Sequence, residues 1–182
     1  MSSDDEVRDP EATEDAIRAG AEDEHWEVRA REVGNPSAPE DVIRAGAEDK
    51  RWEVRRAAAR NPGAPVDVIR AGAGDKESAV REEAVGNPSA PADVIWAGLR
   101  DTAGWVRWKA GGNPAIAPED TIVAAKDRSV VVRRVVAGNP RLSLEAARHL
   151  AKSQDWETLV ALAGNESVPE GIRVMARLRA GG

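Results

Sequence analysis

Apolar and polar residues follow the spacing of short helices along this chain, and the pattern recurs every 26 residues. In residues 35–60, Ile43 and Ala47 are four positions apart and so share one helix face. A second stripe of Val and Ala residues follows after a break near Asp49. No segment shows the period-two alternation of a strand. The pattern predicts two short helices in each repeat, helix A over residues 41–47 and helix B over residues 52–60.

Two dipeptides mark the repeat. Asn-Pro begins a turn, because proline fixes its own φ and disfavours the α conformation in the preceding residue. It occurs at Asn35, Asn61, Asn87, Asn113 and Asn139, and the series extends back to Asp9-Pro10 and forward to Asn165-Glu166. Val-Arg recurs with the same period at Arg29, Arg55, Arg81, Arg107 and Arg133. We expect one repeat domain over residues 1–182, with repeats at about 9–34, 35–60, 61–86, 87–112, 113–138 and 139–164 and a partial unit at 165–182.

The ends of the predicted helices carry recognisable residues. A second proline (Pro39 in residues 35–60) stands where a helix start tolerates a missing N–H, and Ser37 and Glu40 have the spacing of a capping box. A glycine ends most B helices, which predicts a left-handed residue there. The A-helix glycines, such as Gly46, predict close approach of neighbouring helices. Helix A is too short to be stable alone, so stability is shared along the array.

The run from Asp49 to Pro65 resembles the leucine-rich repeat variant (LRV) family. It has the acidic residue, Trp52, Val54-Arg55, small apolar residues, Asn-Pro and proline-initiated helix of that family. The resemblance covers about residues 9–165 and implies an all-α, right-handed α-solenoid of alternating helices with short 3₁₀ pieces. The repeat here is slightly longer than in the family, and Val and Ile replace most leucines. The chain also resembles HEAT repeats more loosely, because each repeat has an Asp followed by Val-Arg, as in Asp49 and Val54-Arg55.

Composition limits the chemistry of this 182-residue chain. It has no Cys, which excludes disulfides, thiolate zinc sites, cysteine nucleophiles and the iron–sulfur cluster of the best-known LRV protein. It also lacks Phe and Tyr, so the core must use Ala, Val, Ile and a few Leu. We expect no cofactor. The acidic start, Asp4-Asp5-Glu6, is not a signal peptide, and no apolar run reaches the length of a membrane span, so we expect a cytoplasmic protein.

An aspartate stands six residues before each arginine of the Val-Arg series, as Asp49 does before Arg55. We interpret these arginines as neutralised structural residues that bridge the turn between helices or the neighbouring repeat. The repeating asparagines are expected to bond turn backbone. Trp26, Trp52 and Trp156 keep one phase of the repeat and are expected to pack structurally.

Three other tryptophans occupy positions that are mostly polar in the other repeats, and so should face solvent. Two of them, Trp105 and Trp108, are three residues apart on one helix face. Exposed aromatic side chains beside cations suggest a binding hot spot, and packing against a local irregularity is the alternative. The predicted partner-binding residues are Trp96, Arg100, Trp105, Trp108, Lys109 and Arg134.

The leading functional hypothesis is a non-enzymatic scaffold that binds a protein or peptide at these residues. Residues 100–150 hold nine basic and five acidic side chains, so nucleic-acid binding is the alternative. Residues 1–49 hold 16 acidic and 5 basic side chains, and architectural self-association is a third hypothesis. Asp23-Glu24-His25 is a weak metal pattern, and His149 lies in another repeat phase. We therefore predict no catalytic residues and no metal site.

Overall fold

A computed structural model describes residues 13–181, which form thirteen α-helices, one 3₁₀ helix and no strand. The all-α prediction is confirmed. Asp9-Pro10 lies outside the described residues. The chain is organised as two compact units, the N-terminal unit up to Ala90 and the C-terminal unit from Pro91.

The N-terminal unit contains three helix pairs. Its helices are α1 (Glu14–Ala21), α2 (Trp26–Val33), α3 (Glu40–Ala47), α4 (Trp52–Arg60), α5 (Val66–Ala73) and α6 (Ser78–Gly86). The A helices α1, α3 and α5 pack side by side in one layer, and the B helices α2, α4 and α6 form the other layer. Ile17, Ile43 and Ile69 are fully buried between them. The predicted bounds of helix B in residues 35–60 are confirmed, and helix A begins one residue earlier than predicted.

The C-terminal unit continues the alternation. Its elements are α7 (Ala92–Gly98), α8 (Gly104–Gly112), a 3₁₀ helix (Pro118–Asp120), α9 (Thr121–Ala125), α10 (Val130–Ala137), α11 (Leu144–Leu150), α12 (Trp156–Gly164) and α13 (Glu170–Ala180). The B helices α8, α10 and α12 lie side by side, and α9 packs against α11. One extra residue before Pro118 is accommodated by the 3₁₀ helix, which shortens α9 to five residues.

Buried asparagines join successive repeats in both units. Asn61 Nδ2 donates to the carbonyl oxygens of Val33 and Asn35, each at 2.8 Å. Its Oδ1 accepts from the Gly63 amide at 2.8 Å. Asn139 repeats this arrangement in the C-terminal unit. Each side chain therefore satisfies backbone groups of its own turn and of the preceding repeat, which would otherwise be buried without partners.

The glycines of the A helices allow neighbouring helices to pack closely, and the glycines at the ends of the B helices do not form left-handed caps. No described residue has a positive φ, so the predicted left-handed glycines are wrong. The chain leaves helix B instead through an asparagine of extended backbone, such as Asn87. The predicted close approach is confirmed, because a Cβ on Gly46 would lie 2.5 Å from a Val33 methyl carbon. A Cβ on Gly72 would lie 3.0 Å from that of Ala59.

The predicted capping box is also wrong. Pro39 is the N-cap of α3 and no side chain bonds to the helix start. The Ser37 amide donates instead to Asn35 Oδ1 at 2.8 Å, because the turn asparagine holds that residue outside the helix.

Candidate functional site

The outer surface of the B helices in the C-terminal unit is largely apolar. Trp105 and Trp108 of α8 are 56% and 37% exposed, Val131 of α10 is 51% exposed and Val160 of α12 is 48% exposed. These four residues, which we call the aromatic face, lie on helices that pack directly side by side. Val131 occupies the repeat position of Trp105, so the two align across neighbouring helices.

Helical geometry directs the aromatic face away from the core. Successive residues turn by about 100° around a helix axis. Val106 and Ala110 of α8 are buried, and Trp105 and Trp108 lie on the opposite side of that helix. The prediction that these tryptophans face solvent is confirmed.

Arg134 lies between the apolar residues of this face but is engaged within the protein. Its guanidinium donates to both carboxylate oxygens of Asp155, at 2.9 and 2.6 Å, and also pairs with Glu157. The bond from Arg134 holds the pKa of Asp155 well below its ordinary value, and further bonds from Thr158 add to this effect. The charge of Arg134 is therefore neutralised in place. Lys109 is the cation beside the tryptophans, with its Nζ 5.8 Å from the ring centroid of Trp108.

Trp96 and Arg100 form a separate group. The Arg100 guanidinium carbon lies 3.2 Å from the ring centroid of Trp96, which is 38% exposed. Trp96 is on the side of α7 opposite its buried residues Val94 and Ile95. Because α7 and α8 pack against each other, Trp96 is directed away from the aromatic face. The six residues predicted from the sequence are thus divided between two outer surfaces.

The arginines of the Val-Arg series are structural, as predicted, and three of them reach a carboxylate one repeat ahead. Arg133 is the exception and donates to the backbone carbonyls of Asp127 and Arg128. Arg55 Nε donates to Asp75 at 2.6 Å, and its Nη1 donates to the backbone carbonyl of Asp49 at 3.0 Å. The same pattern joins Arg29 to Asp49, and Arg107 to Asp127 at 2.7 Å. The aspartate six positions before each arginine was the predicted partner, and it accepts through its backbone carbonyl oxygen, as Asp49 does from Arg55. The carboxylate of Asp49 accepts instead from Arg29 of the preceding repeat.

The in-phase tryptophans are less packed than predicted. Trp26 is half-buried, with the Arg51 guanidinium 5.0 Å from its ring centroid. Trp52 is 37% exposed and Trp156 is 60% exposed, so the packing prediction is wrong for both.

Asp23, Glu24 and His25, the weak metal pattern of the sequence, lie among the described residues. His25 Nδ1 lies 3.0 Å from Asp23 Oδ1, a local contact of one turn. Across residues 13–181 there is no group of three His, Cys, Asp or Glu side chains placed to hold an ion. Nor is any helix in that range long and apolar enough to span a membrane.

Comparison with known proteins bears on the fold. No family model matches the chain, and no curated protein matches it by sequence. A solved structure described as a leucine-rich repeat variant with a novel repetitive motif is similar to it, with a TM-score of 0.67. The match covers 94% of this chain and 71% of that chain, at 22% identity.

This chain shares the fold of that leucine-rich repeat variant. The resemblance found in the sequence is therefore confirmed at the level of fold, and the right-handed sense remains what that resemblance implies.

Proposed function

We propose that this chain is a non-enzymatic scaffold that binds a protein or peptide partner at the aromatic face. The observation that carries the proposal is the exposure of Trp105 and Trp108 next to Val131 on the neighbouring helix. Aromatic side chains grouped at a surface and bordered by polar residues are typical of binding hot spots. The Arg134–Glu157 ion pair and Lys109 supply the polar border here.

The charges around this face favour a protein ligand over a nucleic acid. Exposed tryptophans can stack on bases, but such sites combine stacking with cations that are free to meet phosphates. Arg107 and Arg134 are instead paired with Asp127 and Asp155. A partner with apolar side chains, and one carboxylate near Lys109, matches the remaining chemistry.

A lysate pull-down with matched tryptophan variants tests the proposal. The Trp105→Ala/Trp108→Ala double variant is compared with Trp52→Ala and Trp96→Ala, whose tryptophans are 37% and 38% exposed on other surfaces. We expect the double variant to lose a partner that both controls retain, with a nearly unchanged thermal midpoint because exposed side chains contribute little to stability.

Each capture is repeated with and without nuclease, and captured proteins are tested with purified components. A partner released by nuclease would replace the proposal with the nucleic-acid hypothesis, whose affinity should also fall steeply with salt. Retention of the same proteins by the double variant would contradict a role for the aromatic face. Light scattering at several concentrations shows whether the face binds a second copy of the chain.

A further inference from the structure

A pocket of about 430 Å³ lies between the A helices α9 and α11 of the C-terminal unit, and four of its lining residues are basic. Lys126 follows α9, Arg148 and His149 are on α11, and Lys152 follows α11. We call these four residues and the space they enclose the basic pocket. Ile122 and Leu144 provide an apolar wall, and Leu144 is 45% exposed. Glu145 is the one acidic residue of the lining.

Arg148 of the basic pocket lacks the carboxylate partner that the arginine at the same repeat position has in the N-terminal unit. Arg18 pairs there with Asp41, and Arg44 pairs with Asp67, 23 residues ahead, at 3.0 Å. Arg148 holds this position in α11, but 23 residues ahead of it stands Gly171. Among residues 13–181, none of the four basic side chains forms an ion pair, even with Glu145.

We infer that the basic pocket is a second binding site, which takes an acidic peptide segment containing an apolar side chain. Several unpaired cations on one surface attract a ligand that carries more than one negative charge. The apolar wall of Ile122 and Leu144 adds an area that a peptide side chain can cover and that an inorganic anion cannot use.

A nucleic acid fits this pocket less well than an acidic peptide. The lining of the pocket includes no Trp, Tyr or Phe. Nucleic-acid bases would therefore have no large aromatic ring on which to stack. The carboxylate of Glu145 also lines the pocket and would repel phosphate groups. A peptide can place its carboxylates beside Arg148 and Lys152 and leave Glu145 to solvent. The site is independent of the aromatic face, since it lies on the A helices.

Fluorescence anisotropy with a short labelled peptide of alternating Glu and Leu tests this inference. The wild-type chain is compared with Arg148→Glu/Lys152→Glu and with a control, Arg128→Glu/Arg141→Glu, which changes the net charge equally at residues outside the pocket. We expect the pocket variant to weaken binding at least about tenfold and the control to change it little. Equal loss in both variants would overturn the inference, because it would show non-specific attraction.

Competition distinguishes the sources of negative charge. A peptide with Gln in place of Glu should not compete, and inorganic phosphate should compete only weakly. Competition by single-stranded DNA more effective than by the acidic peptide would overturn the choice of ligand. The milder pair Arg148→Gln/Lys152→Gln gives the same comparison if charge reversal disturbs folding, which circular dichroism reports.

The two histidines of the chain provide a readout that requires no substitution. His149 lines the pocket, while His25 belongs to the N-terminal unit beside Asp23. Titration of the acidic peptide followed by NMR should shift the ring resonances of His149 and leave those of His25 unchanged. Unchanged His149 resonances at saturating peptide would contradict the inference.

Discussion

The two units have the same framework but different outer surfaces. In the N-terminal unit, Arg56 of α4 donates to Glu83 of α6 at 2.6 Å, and Glu53 pairs with Arg51 at 2.9 Å. Trp105 and Trp108 of α8 occupy the repeat positions of Glu53 and Arg56. On α8 the two tryptophans replace residues that form surface ion pairs on α4. On α10 the C-terminal unit keeps such a pair, between Arg134 and Glu157 of α12.

The framework itself is almost unchanged between the units. Arg55 donates to Asp75 at 2.6 Å in one unit, and Arg107 donates to Asp127 at 2.7 Å in the other. The asparagine bonds between repeats also have the same geometry in both. Inter-repeat bonds of the framework therefore fix the fold, and the outer positions are free to acquire a binding function.

The largest expected effect comes from breaking this shared framework. Asp75→Ala and Asp127→Ala each leave a largely buried arginine without its carboxylate, since the paired side chains are at most 12% exposed. Each should lower the free energy of unfolding by about 2–4 kcal/mol, near the range for broken buried pairs. Urea denaturation followed by circular dichroism measures this.

Asp67→Ala is the control for both substitutions, because Asp67 pairs with Arg44 at the surface and is 65% exposed. We expect a much smaller loss of stability from it, as exposed pairs contribute little. Unequal losses from Asp75→Ala and Asp127→Ala would contradict the view that both units depend on the same framework.

Asp155 gives a smaller effect that distinguishes the units. Its carboxylate accepts the Thr158 amide at 2.8 Å and so caps α12, while the matching residues Arg51 and Glu77 cap nothing. Asp155→Ala should cost about 1–2 kcal/mol of unfolding free energy through the lost cap and the lost bond to Arg134. Arg51→Ala serves as the control in the N-terminal unit.

The effect of Asp155 should also depend on pH. Its folded-state pKa lies below the ordinary value of 3.8. The stabilisation is therefore fully present above that value and is lost as the pH falls through the folded-state pKa. Urea denaturation at a series of pH values should show the wild type and Asp155→Ala converging only below about pH 4. A constant difference down to strong acid would mean that the charge of Asp155 is not involved.

The sequence predicts the repeat architecture well, because every repeat supplies another copy of the same pattern. The bounds of α4, the structural role of Asn61 and the exposure of Trp105 all follow from the shared phase. The partner of Arg55 does not follow. Asp49 and Asp75 are successive members of one series, one before Arg55 and one after it. Only the stacking of the repeats shows that Arg55 reaches the carboxylate of Asp75 and the backbone oxygen of Asp49.

The candidate sites were predictable only in part. Trp96 is near Trp105 in sequence, but the two-layer packing of α7 and α8 sends them to different outer surfaces. The basic pocket joins Lys126 to Arg148 from another repeat. The sequence signal that could have located it is Gly171, which replaces the acidic partner that Arg44 has in Asp67.

The smallest expected change in stability comes from transferring the N-terminal pattern to the aromatic face. Trp105→Glu/Trp108→Arg recreates the residues at positions 53 and 56. Because both tryptophans are more than one third exposed, the unfolding free energy should change by about 1 kcal/mol or less, while partner capture is lost. The reverse transfer, Glu53→Trp/Arg56→Trp, should cost more, since it leaves Glu83, whose side chain is 11% exposed, without its partner. Chemical denaturation of both variants measures this asymmetry. A large loss from the forward transfer would show that Trp105 and Trp108 stabilise the fold and are not free to serve binding.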